Sequence, residues 1–203
     1  MTKDLSKEET ERYWIEPRTS QPEKYLMGEV RSIYLFDIIS KYTNCNIDSS
    51  ILEVGCNVGR NLEYLRRKDF IDLSGIDINP DVENLRMRKY PYLYKTMKYH
   101  YGPAEDVLPK LTKQYDLIYS MAVLMHMYPG IFPTIVNEIS RLCKGFLITI
   151  EDEETLWIHQ TPWDYKVIFE PLGFTEVYKE RPKNIKGLKN GYITRVFKKE
   201  PIG

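Results

Sequence analysis

Short apolar runs alternate with amphipathic stretches along the chain after residue 50. The runs SILEVG, LSGIDI, YDLIYSMAV and GFLITIED are almost continuously apolar, which is typical of strands buried on both faces of a sheet. RNLEYLRRK and NPDVENLRMRK have helical periodicity, and the second is predicted to begin with Asn79 as its cap and Pro80 at its first position. The alternation predicts a parallel sheet covered by helices on both faces.

The remaining elements complete this sheet. TMKYHYG predicts a third strand and AEDVLPKL a short helix after it. PWDYKVIFEPLGF predicts a helix that ends near Gly173, and TEVYKE and GYITRVFKK predict two last strands in antiparallel pairing. The predicted fold is therefore α/β, a Rossmann-like, doubly wound, mostly parallel seven-stranded sheet with an antiparallel final strand and an N-terminal helical segment.

The N-terminal residues differ from the rest of the chain. We expect residues 1–48 to form a helical lid or extension on a single globular unit of residues 49–203. EKYLMGEVRSIYLFDIISKYT predicts an amphipathic helix or helix pair on the sheet's edge or over its ligand crevice, and the aromatic and proline-rich ERYWIEPRTSQPEKY suits a lid. Tyr13 and Trp14 either contact a ligand or pack in the core, the commoner role of aromatic residues.

Composition restricts the classes of partner. The 203 residues suit one domain, and 29 basic residues against 29 acidic ones give no net charge that would favour nucleic acid or a membrane. No apolar run approaches the ~18 residues of a membrane span, and the N-terminus is too polar for a signal peptide, so a cytoplasmic protein is expected. Cys45, Cys56 and Cys143 lack metal-ligand spacing, which predicts reduced thiols and no metal site.

Polar residues follow four of the predicted strands, where ligands bind in open α/β sheets. The turns contribute Glu53, Gly55, Cys56, Asn57 and Gly59, then Asp77 and Asn79, then Glu105 and Asp106, and finally Ser120, Met121 and His126.

The first of these turns, in ILEVGCNVGRN, selects among ligands. Its glycines are spaced G-x-x-x-G rather than the G-x-G-x-x-G of dinucleotide sites. Glu53 at the strand end would repel a pyrophosphate but suits a ligand with an ammonium and a sulfonium, which S-adenosylmethionine carries. Asn57 tolerates the positive φ of such a turn, and its amide is a donor for the ligand's carboxylate. The alternative is that Asn57 marks an inactive site.

These motifs, in this order, resemble the class I S-adenosylmethionine-dependent methyltransferases over about residues 50 to 150. The family's E/D-x-G-x-G-x-G loop corresponds to EVGCNVG, its second-strand acid to GIDINP and its fourth strand to DLIYSMAVLMH. The resemblance implies that Glu53, Gly55, Cys56, Asn57 and Gly59 surround the methionine part, that Asp77 binds the ribose and that Ile78 packs on adenine. Pro103 stands where the family often has an Asp that binds the adenine amine. The backbone of Ala104 and the side chain of Glu105 are the groups that would take over this contact. Ser120 and Met121 complete the predicted cofactor site, and S-adenosylhomocysteine is the expected product.

Catalysis and acceptor binding are expected at the ends of the fourth and fifth strands. His126 is the candidate base because its ordinary pKa is near neutral, and a structural role for it is the alternative. In TIEDEETLWIH, Glu151 and Asp152 are predicted to bind an acceptor amine or hydroxyl, with Trp157 and His159 in the same wall. The alternative partners of this acidic run are solvent, a basic side chain or a metal. A metal is the least favoured of them, because the acids are clustered here, whereas metal-using relatives spread theirs over separate turns.

The predicted activity is methyl transfer to oxygen or nitrogen of a small molecule. AVLMH and FEPLGF show a looser likeness to methyltransferases of surface-sugar pathways, which suggests a sugar-type metabolite. The fourth strand lacks the N/D-P-P-Y/F motif of nucleobase modifiers, although Arg86–Tyr101 interleaves basic residues with tyrosines, as strand-binding surfaces do. The alternative is a non-catalytic subunit that binds S-adenosylmethionine. An NAD-dependent oxidoreductase is the least favoured function, because the chain lacks the G-x-G-x-x-G motif that such an enzyme needs. The oligomeric state stays open.

Overall fold

Seven strands form one sheet in the computed structural model, which describes residues 6–16, 22–26, 28–157, 159–188 and 190–200. The strands are β1 (Ile51–Val54), β2 (Leu73–Asp77), β3 (Lys98–Tyr101), β4 (Tyr115–Met121), β5 (Cys143–Asp152), β6 (Phe174–Glu180) and β7 (Tyr192–Lys199). Their order is β3-β2-β1-β4-β5-β7-β6. β1 to β5 are parallel, whereas β7 pairs antiparallel with β5 and β6. The predicted fold class is confirmed.

Helices connect the strands and precede the first one. They are α1 (Lys7–Ile15), α2 (Val30–Tyr42), α3 (Arg60–Arg66), α4 (Val82–Lys89), α5 (Pro91–Thr96), α6 (Ala104–Val107), α7 (Phe132–Leu142) and α8 (Tyr165–Phe169). Short 3₁₀ turns occupy Pro22–Leu26, Leu108–Lys110, Leu124–His126 and Glu170–Leu172. Within the described residues, no helix is long and apolar enough to cross a membrane.

The core lies on both faces of the sheet. Successive residues of a strand point to opposite faces, so Ile51 and Leu52 of β1 belong to different apolar clusters. On the first face Leu35 of α2 and Leu62 of α3 pack in the cluster of Ile51. On the second face Ile139 of α7 packs in the cluster of Leu52. This double covering explains why β1 and β5 are buried along nearly their whole length.

The N-terminal helix α2 is part of the first face. Leu35, Ile38 and Ile39 are buried in the same cluster as the strand residues, and the Tyr34 hydroxyl lies 2.6 Å from Thr194 Oγ1 of β7. The expectation that this helix packs on the sheet's edge or over the crevice is therefore wrong for most of its length. Residues 17–21 of the predicted lid segment and Met27 of the predicted helix pair lie outside the described residues.

The turn after β2 also differs from the prediction. α4 begins at Val82 with Asp81 in the cap position, not at Asn79 and Pro80. The Asn79 side chain accepts a hydrogen bond from the Asp81 N–H at 2.8 Å, while the Asn79 N–H donates to Asp77 Oδ1 at 2.9 Å. Asn side chains bond to their own backbone two residues on, and here that turn delays the helix.

Candidate active site

The loop between β1 and α3 has three residues in the left-handed region. Gly55, Asn57 and Gly59 have φ values of 76°, 46° and 82°. A side chain at Gly55 would overlap Val123, so only glycine allows this approach of two loops. The expected positive φ of Asn57 is confirmed, and its Oδ1 accepts from the Val58 N–H at 2.8 Å. The loop is therefore intact despite having Asn where such loops usually have glycine.

Glu53 at the end of β1 is buried, with one carboxylate oxygen satisfied. Its Oε1 accepts from Asn61 Nδ2 at 2.7 Å, whereas Oε2 has no hydrogen-bond partner among the described residues. The residue is 3% exposed, and burial raises the pKa of its carboxyl to about 8. A buried carboxylate oxygen without a donor is costly, so it marks a place where a cationic ligand group would be stabilised.

Asp77 at the end of β2 joins two loops. Its Oδ2 accepts from the Asn57 N–H at 2.6 Å and its Oδ1 from the Asn79 N–H at 2.9 Å. Burial raises the pKa of Asp77, although these hydrogen bonds act in the opposite direction. Each carboxylate oxygen has a further lone pair, so Asp77 keeps acceptor capacity towards a ligand.

A cavity of about 290 Å³ opens at the carboxyl ends of the parallel strands. Its wall includes the predicted residues Trp14, Glu53, Gly55, Cys56, Asn57, Asp77, Ile78, Ala104, Glu105, Met121 and His126. The volume is near the lower end of the ~300–1,000 Å³ usual for small-molecule sites. The structure thus brings the turns after β1, β2, β3 and β4 to one cavity.

Two predicted cofactor residues are not in this wall. Gly59 is the N-cap of α3, and a side chain there would meet Leu93 at 2.9 Å, so the glycine serves the turn rather than the cavity. Ser120 is buried in β4 and donates to Glu151 Oε1 at 2.5 Å. Gly59 and Ser120 were predicted to belong to the cofactor site, and the structure places both outside the cavity wall, covered by neighbouring elements.

Glu151 is also turned away from the cavity. Its Oε2 accepts from the Val123 N–H at 2.9 Å and the Met125 N–H at 3.3 Å, and burial raises its pKa to about 7. The prediction that Glu151 binds the acceptor is wrong because the residue is fully buried and its oxygens are engaged. Glu151 instead fixes the backbone of residues 123–125, directly before His126.

The rest of the acidic run has protein partners rather than an acceptor. Asp152 Oδ1 accepts from the Thr155 N–H at 2.9 Å, which closes a turn, so its predicted acceptor role is also wrong. Glu153 pairs with Arg195 at 2.6 Å, and Glu154 pairs with Arg181. Backbone amides and arginines therefore offset the repulsion within the run.

The aromatic residues predicted for the acceptor separate into two groups. Trp14 lines the cavity, with its ring centroid 4.7 Å from that of His126. Tyr13 stacks on the His159 ring at 4.0 Å, outside the cavity wall, and Trp157 is 63% exposed. Tyr13, Trp157 and His159, which were predicted to contact the acceptor, therefore lie outside the cavity wall.

His126 is held in one tautomer. Its Nδ1 lies 2.6 Å from the His159 carbonyl oxygen, and because a carbonyl only accepts, Nδ1 carries the hydrogen. Nε2 is then the acceptor nitrogen of a residue in the cavity wall. Burial lowers the pKa of His126, against the effect of the His159 carbonyl, so the ring is neutral at pH 7. A neutral imidazole with a free lone pair is able to take a proton.

α1 covers the cavity through contacts near both of its ends. Lys7 Nζ lies 3.1 Å from Glu105 Oε1, and Asn79 Nδ2 donates to the Trp14 carbonyl at 3.3 Å. α1 has no buried residue of its own, so its position depends on these contacts.

Several polar residues of the wall were not predicted, among them Arg31, Arg60, Asn61 and Tyr192. Arg60 and Asn61 directly follow the glycine loop, which was an available signal. Arg31 and Tyr192 come from α2 and β7, far apart in the sequence, and no local pattern joins them.

Comparisons with known proteins agree with this geometry. A family model described as a methyltransferase domain matches residues 27–180, which is more than half of the chain. Comparison with curated proteins gave no significant match.

Solved structures share the fold at low identity. Magnesium protoporphyrin IX methyltransferase (ChlM) from Synechocystis PCC 6803, with bound SAH, has a TM-score of 0.73 and 13% identity, covering 96% of this chain and 100% of that chain. A SAM-dependent methyltransferase from Archaeoglobus fulgidus gives 0.66 and 18%, covering 91% and 100%. The [4+2]-cyclase SpnF gives 0.71 and 14%, covering 98% of each chain. At such identities the likeness is one of fold, and it carries no substrate.

Proposed function

The chain belongs to the class I S-adenosylmethionine-dependent methyltransferases, and from this premise we propose that it methylates an oxygen or nitrogen of a small molecule. The observation that carries the proposal is the position of Glu53 and Asp77, two buried carboxylates in the wall of one cavity. The unpartnered Glu53 oxygen suits an ammonium, and Asp77 has acceptor capacity for ribose hydroxyls.

The cavity residues fit this cofactor along its length. Gly55, Cys56 and Asn57 would enclose the methionine part beside Glu53, while Ile78 and Ala104 would pack on adenine. Glu105 already pairs with Lys7, so an adenine amine would share or displace that lysine. With these roles, the turn after β3 would bind adenine without the Asp that Pro103 replaces.

S-adenosylmethionine supplies an activated methyl carbon, so positioning and exclusion of water provide much of the rate. His126 would accept the proton of an acceptor hydroxyl or ammonium at Nε2, and the His159 carbonyl keeps Nδ1 protonated. Glu151 holds the preceding backbone, which fixes the position of His126. Trp14 covers the imidazole and restricts water.

The size of the cavity is compatible with a small acceptor. With α1 in place, about 290 Å³ is enclosed at the ends of the strands. The FEPLGF segment, Phe169–Phe174, has its terminal phenylalanines in the core on the second face, so its likeness to sugar methyltransferases does not bear on the acceptor site. The sugar-type substrate therefore remains one member of the proposed class.

Transfer of labelled methyl into a metabolite extract tests the proposal. We expect wild-type protein to label a low-molecular-weight product and Asp77→Ala to label it far less at limiting S-adenosylmethionine. One structure with this fold is a cyclase, so cofactor binding alone does not establish methyl transfer. The appearance of labelled product is therefore the observation that distinguishes a methyltransferase from other functions of the fold. Cofactor binding without any labelled product from diverse extracts would favour the non-catalytic subunit instead.

A further inference from the structure

The face of α1 that lines the cavity is polar. Lys7, Thr10, Glu11 and Trp14 lie in the cavity wall, and their i, i+3, i+4 and i+7 spacing places them on one side of the helix. A helix that packs on a protein core usually turns an apolar stripe towards it. Three of these four residues are polar, and α1 has no buried residue. This composition suits a polar ligand as the packing partner of the helix.

Glu11 of α1 and Glu105, in the turn after β3, share one ammonium. Lys7 Nζ lies 3.4 Å from Glu11 Oε1 and 3.1 Å from Glu105 Oε1. Both of these oxygens are buried, and neither accepts a hydrogen bond within the described residues. The Glu105 side chain is only 9% exposed. One lysine therefore faces two carboxyls, and two buried acceptor atoms in the cavity wall lack a donor.

The two carboxyls are close enough to influence each other. Burial raises the pKa of Glu11, and the nearby Glu105 raises it further, whereas Lys7 acts in the opposite direction. Carboxylates that share a site repel each other, and a donor to both of them relieves that repulsion. An amine with two N–H groups is such a donor, because it is able to satisfy one oxygen of each residue at once.

The two ends of the cavity suit different parts of the cofactor. At the β1 end, burial lowers the pKa of Arg60 and the neighbouring Arg31 lowers it further, and both guanidiniums line the wall there. Together with Glu53, they suit the carboxylate and ammonium of the methionine part. The turn after β3 lies beyond β2 in the sheet order, and the carboxyls of Glu11 and Glu105 line that end. A cofactor with its ribose at the end of β2 would place its adenine there.

We propose that Glu11 and Glu105 together bind the exocyclic amine of adenine, so that the lid helix itself recognises the base; this inference rests on the proposed function. Glu105 belongs to the body of the domain and Glu11 to α1, so the amine joins the two. A purine with a carbonyl at the same position would turn an acceptor towards two acceptors and leave them unpaired. Glu11 is thus a specificity-determining residue that makes closure of α1 depend on the base.

The test compares S-adenosylhomocysteine with S-inosylhomocysteine, which carries a carbonyl in place of the amine. Adenosine and inosine form a second pair that lacks the amino-acid part. Each ligand is titrated calorimetrically into the full chain, and hydrogen exchange of α1 is measured with the first pair bound. The variants are Glu11→Gln and, as a matched control, Glu8→Gln on the exposed side of the same helix. Thermal unfolding of each variant verifies that it is folded.

We expect the wild type to bind S-adenosylhomocysteine about tenfold or more tightly than S-inosylhomocysteine, with α1 protected from exchange mainly by the first ligand. Glu11→Gln should reduce this preference to about threefold or less, because the amide also offers N–H donors to a carbonyl. Glu8→Gln should keep the wild-type preference.

Equal binding of the two ligands by the wild type would overturn the inference. So would an unchanged preference in Glu11→Gln with both affinities lowered alike, since Glu11 would then only hold the helix in place. Failure of the wild type to bind S-adenosylhomocysteine would contradict the proposed function itself. In that case adenosine and inosine still decide the inference: a preference for adenosine that Glu11→Gln loses supports it, and equal or absent binding overturns it.

Discussion

Asp77 holds the loops after β1 and β2 together while facing the cavity. Its two oxygens each accept one backbone N–H, from Asn57 and Asn79. A ribose bound here would add hydroxyl donors to a carboxylate already oriented by the protein. Binding and loop geometry are therefore linked through one side chain.

Asp77→Ala should weaken S-adenosylmethionine binding by ~1–3 kcal/mol, because the ribose hydroxyls lose charge-assisted hydrogen bonds. Calorimetry measures this directly. Asp72→Asn, just before the opposite end of β2, is the matched control and should bind like the wild type. Unchanged affinity in a folded Asp77→Ala protein would remove the ribose assignment.

His126→Asn should lower turnover by ~10²-fold or more and leave cofactor affinity nearly unchanged, because the amide lacks a proton-accepting nitrogen. The asparagine amide still offers a donor to the His159 carbonyl, so the loop is preserved. Because burial lowers the pKa of His126, turnover should rise with pH below its ordinary value of 6.5 and then level off. His100→Asn, on the edge strand β3, is the control; wild-type turnover in His126→Asn would leave a structural role only.

The sequence predicted the residues whose chemistry is local and missed those whose roles are set by distant partners. Asn57 was predicted correctly because positive φ is a property of the residue and its turn. Glu151 was misplaced because its partners, Ser120 and the amides of residues 123–125, lie on a neighbouring strand and loop. Arg31 was missed because its role depends on which loops reach the same cavity.

Among the elements, α1 depends most on contacts outside itself. A helix of 9 residues is marginal alone, and α1 buries no residue. It is held by Lys7 against Glu105 and by the Trp14 ring against His126. The N-terminal aromatic segment was predicted as a lid, and the helix over the cavity supports that proposal.

Trp14→Ala should loosen α1 and speed both association and dissociation of S-adenosylhomocysteine, because the helix loses the contact of the ring with His126 in the cavity wall. Hydrogen exchange should show that bound ligand protects α1 in the wild type and protects it much less in the variant. Arg12→Ala, on the exposed side of α1, is the matched control. Equal protection in Trp14→Ala and the wild type would mean that α1 is not a lid.

The strands show how much of the fold the apolar pattern determines. All seven were predicted, β1, β2, β4 and β5 from their buried apolar runs, and β3, β6 and β7 from shorter segments between turn residues. The placement of α2 was not predictable in the same way, since an amphipathic helix reveals its apolar face but not which surface it covers. The start of α4 was displaced by the Asn79 turn, a local competition that periodicity does not detect.

For the whole molecule, two buried carboxyls link stability to pH. Burial raises the pKa of Glu53 to about 8 and that of Glu151 to about 7, both above their unfolded value of 4.5. The stability that they contribute is therefore full below pH 4.5 and is lost as pH rises towards 8. We expect the ligand-free protein to lose on the order of 6 kcal/mol of unfolding free energy between pH 5 and 8 from these two groups together.

Denaturant unfolding at several pH values measures this loss. Glu53→Gln should flatten the slope because glutamine does not ionise, whereas Glu63→Gln, a neighbouring carboxyl paired with Arg66, should keep it. The same linkage applies to binding: an ammonium favours ionised Glu53, so cofactor affinity should increase with pH up to about 8. Stability that rises between pH 5 and 8 in wild type and Glu53→Gln alike would contradict the burial of a protonated Glu53.

Parallel calorimetric titration of the wild-type chain with S-adenosylmethionine, S-adenosylhomocysteine and NAD is the most direct test of the assignment. The cavity joins an unpaired Glu53 oxygen to Asp77, which favours a ligand with an ammonium and a ribose and disfavours a pyrophosphate. We expect one site per chain for the first two ligands, with at least a hundredfold weaker binding of NAD. The assignment would be contradicted if NAD bound with comparable or higher affinity, or if the chain bound none of the three ligands.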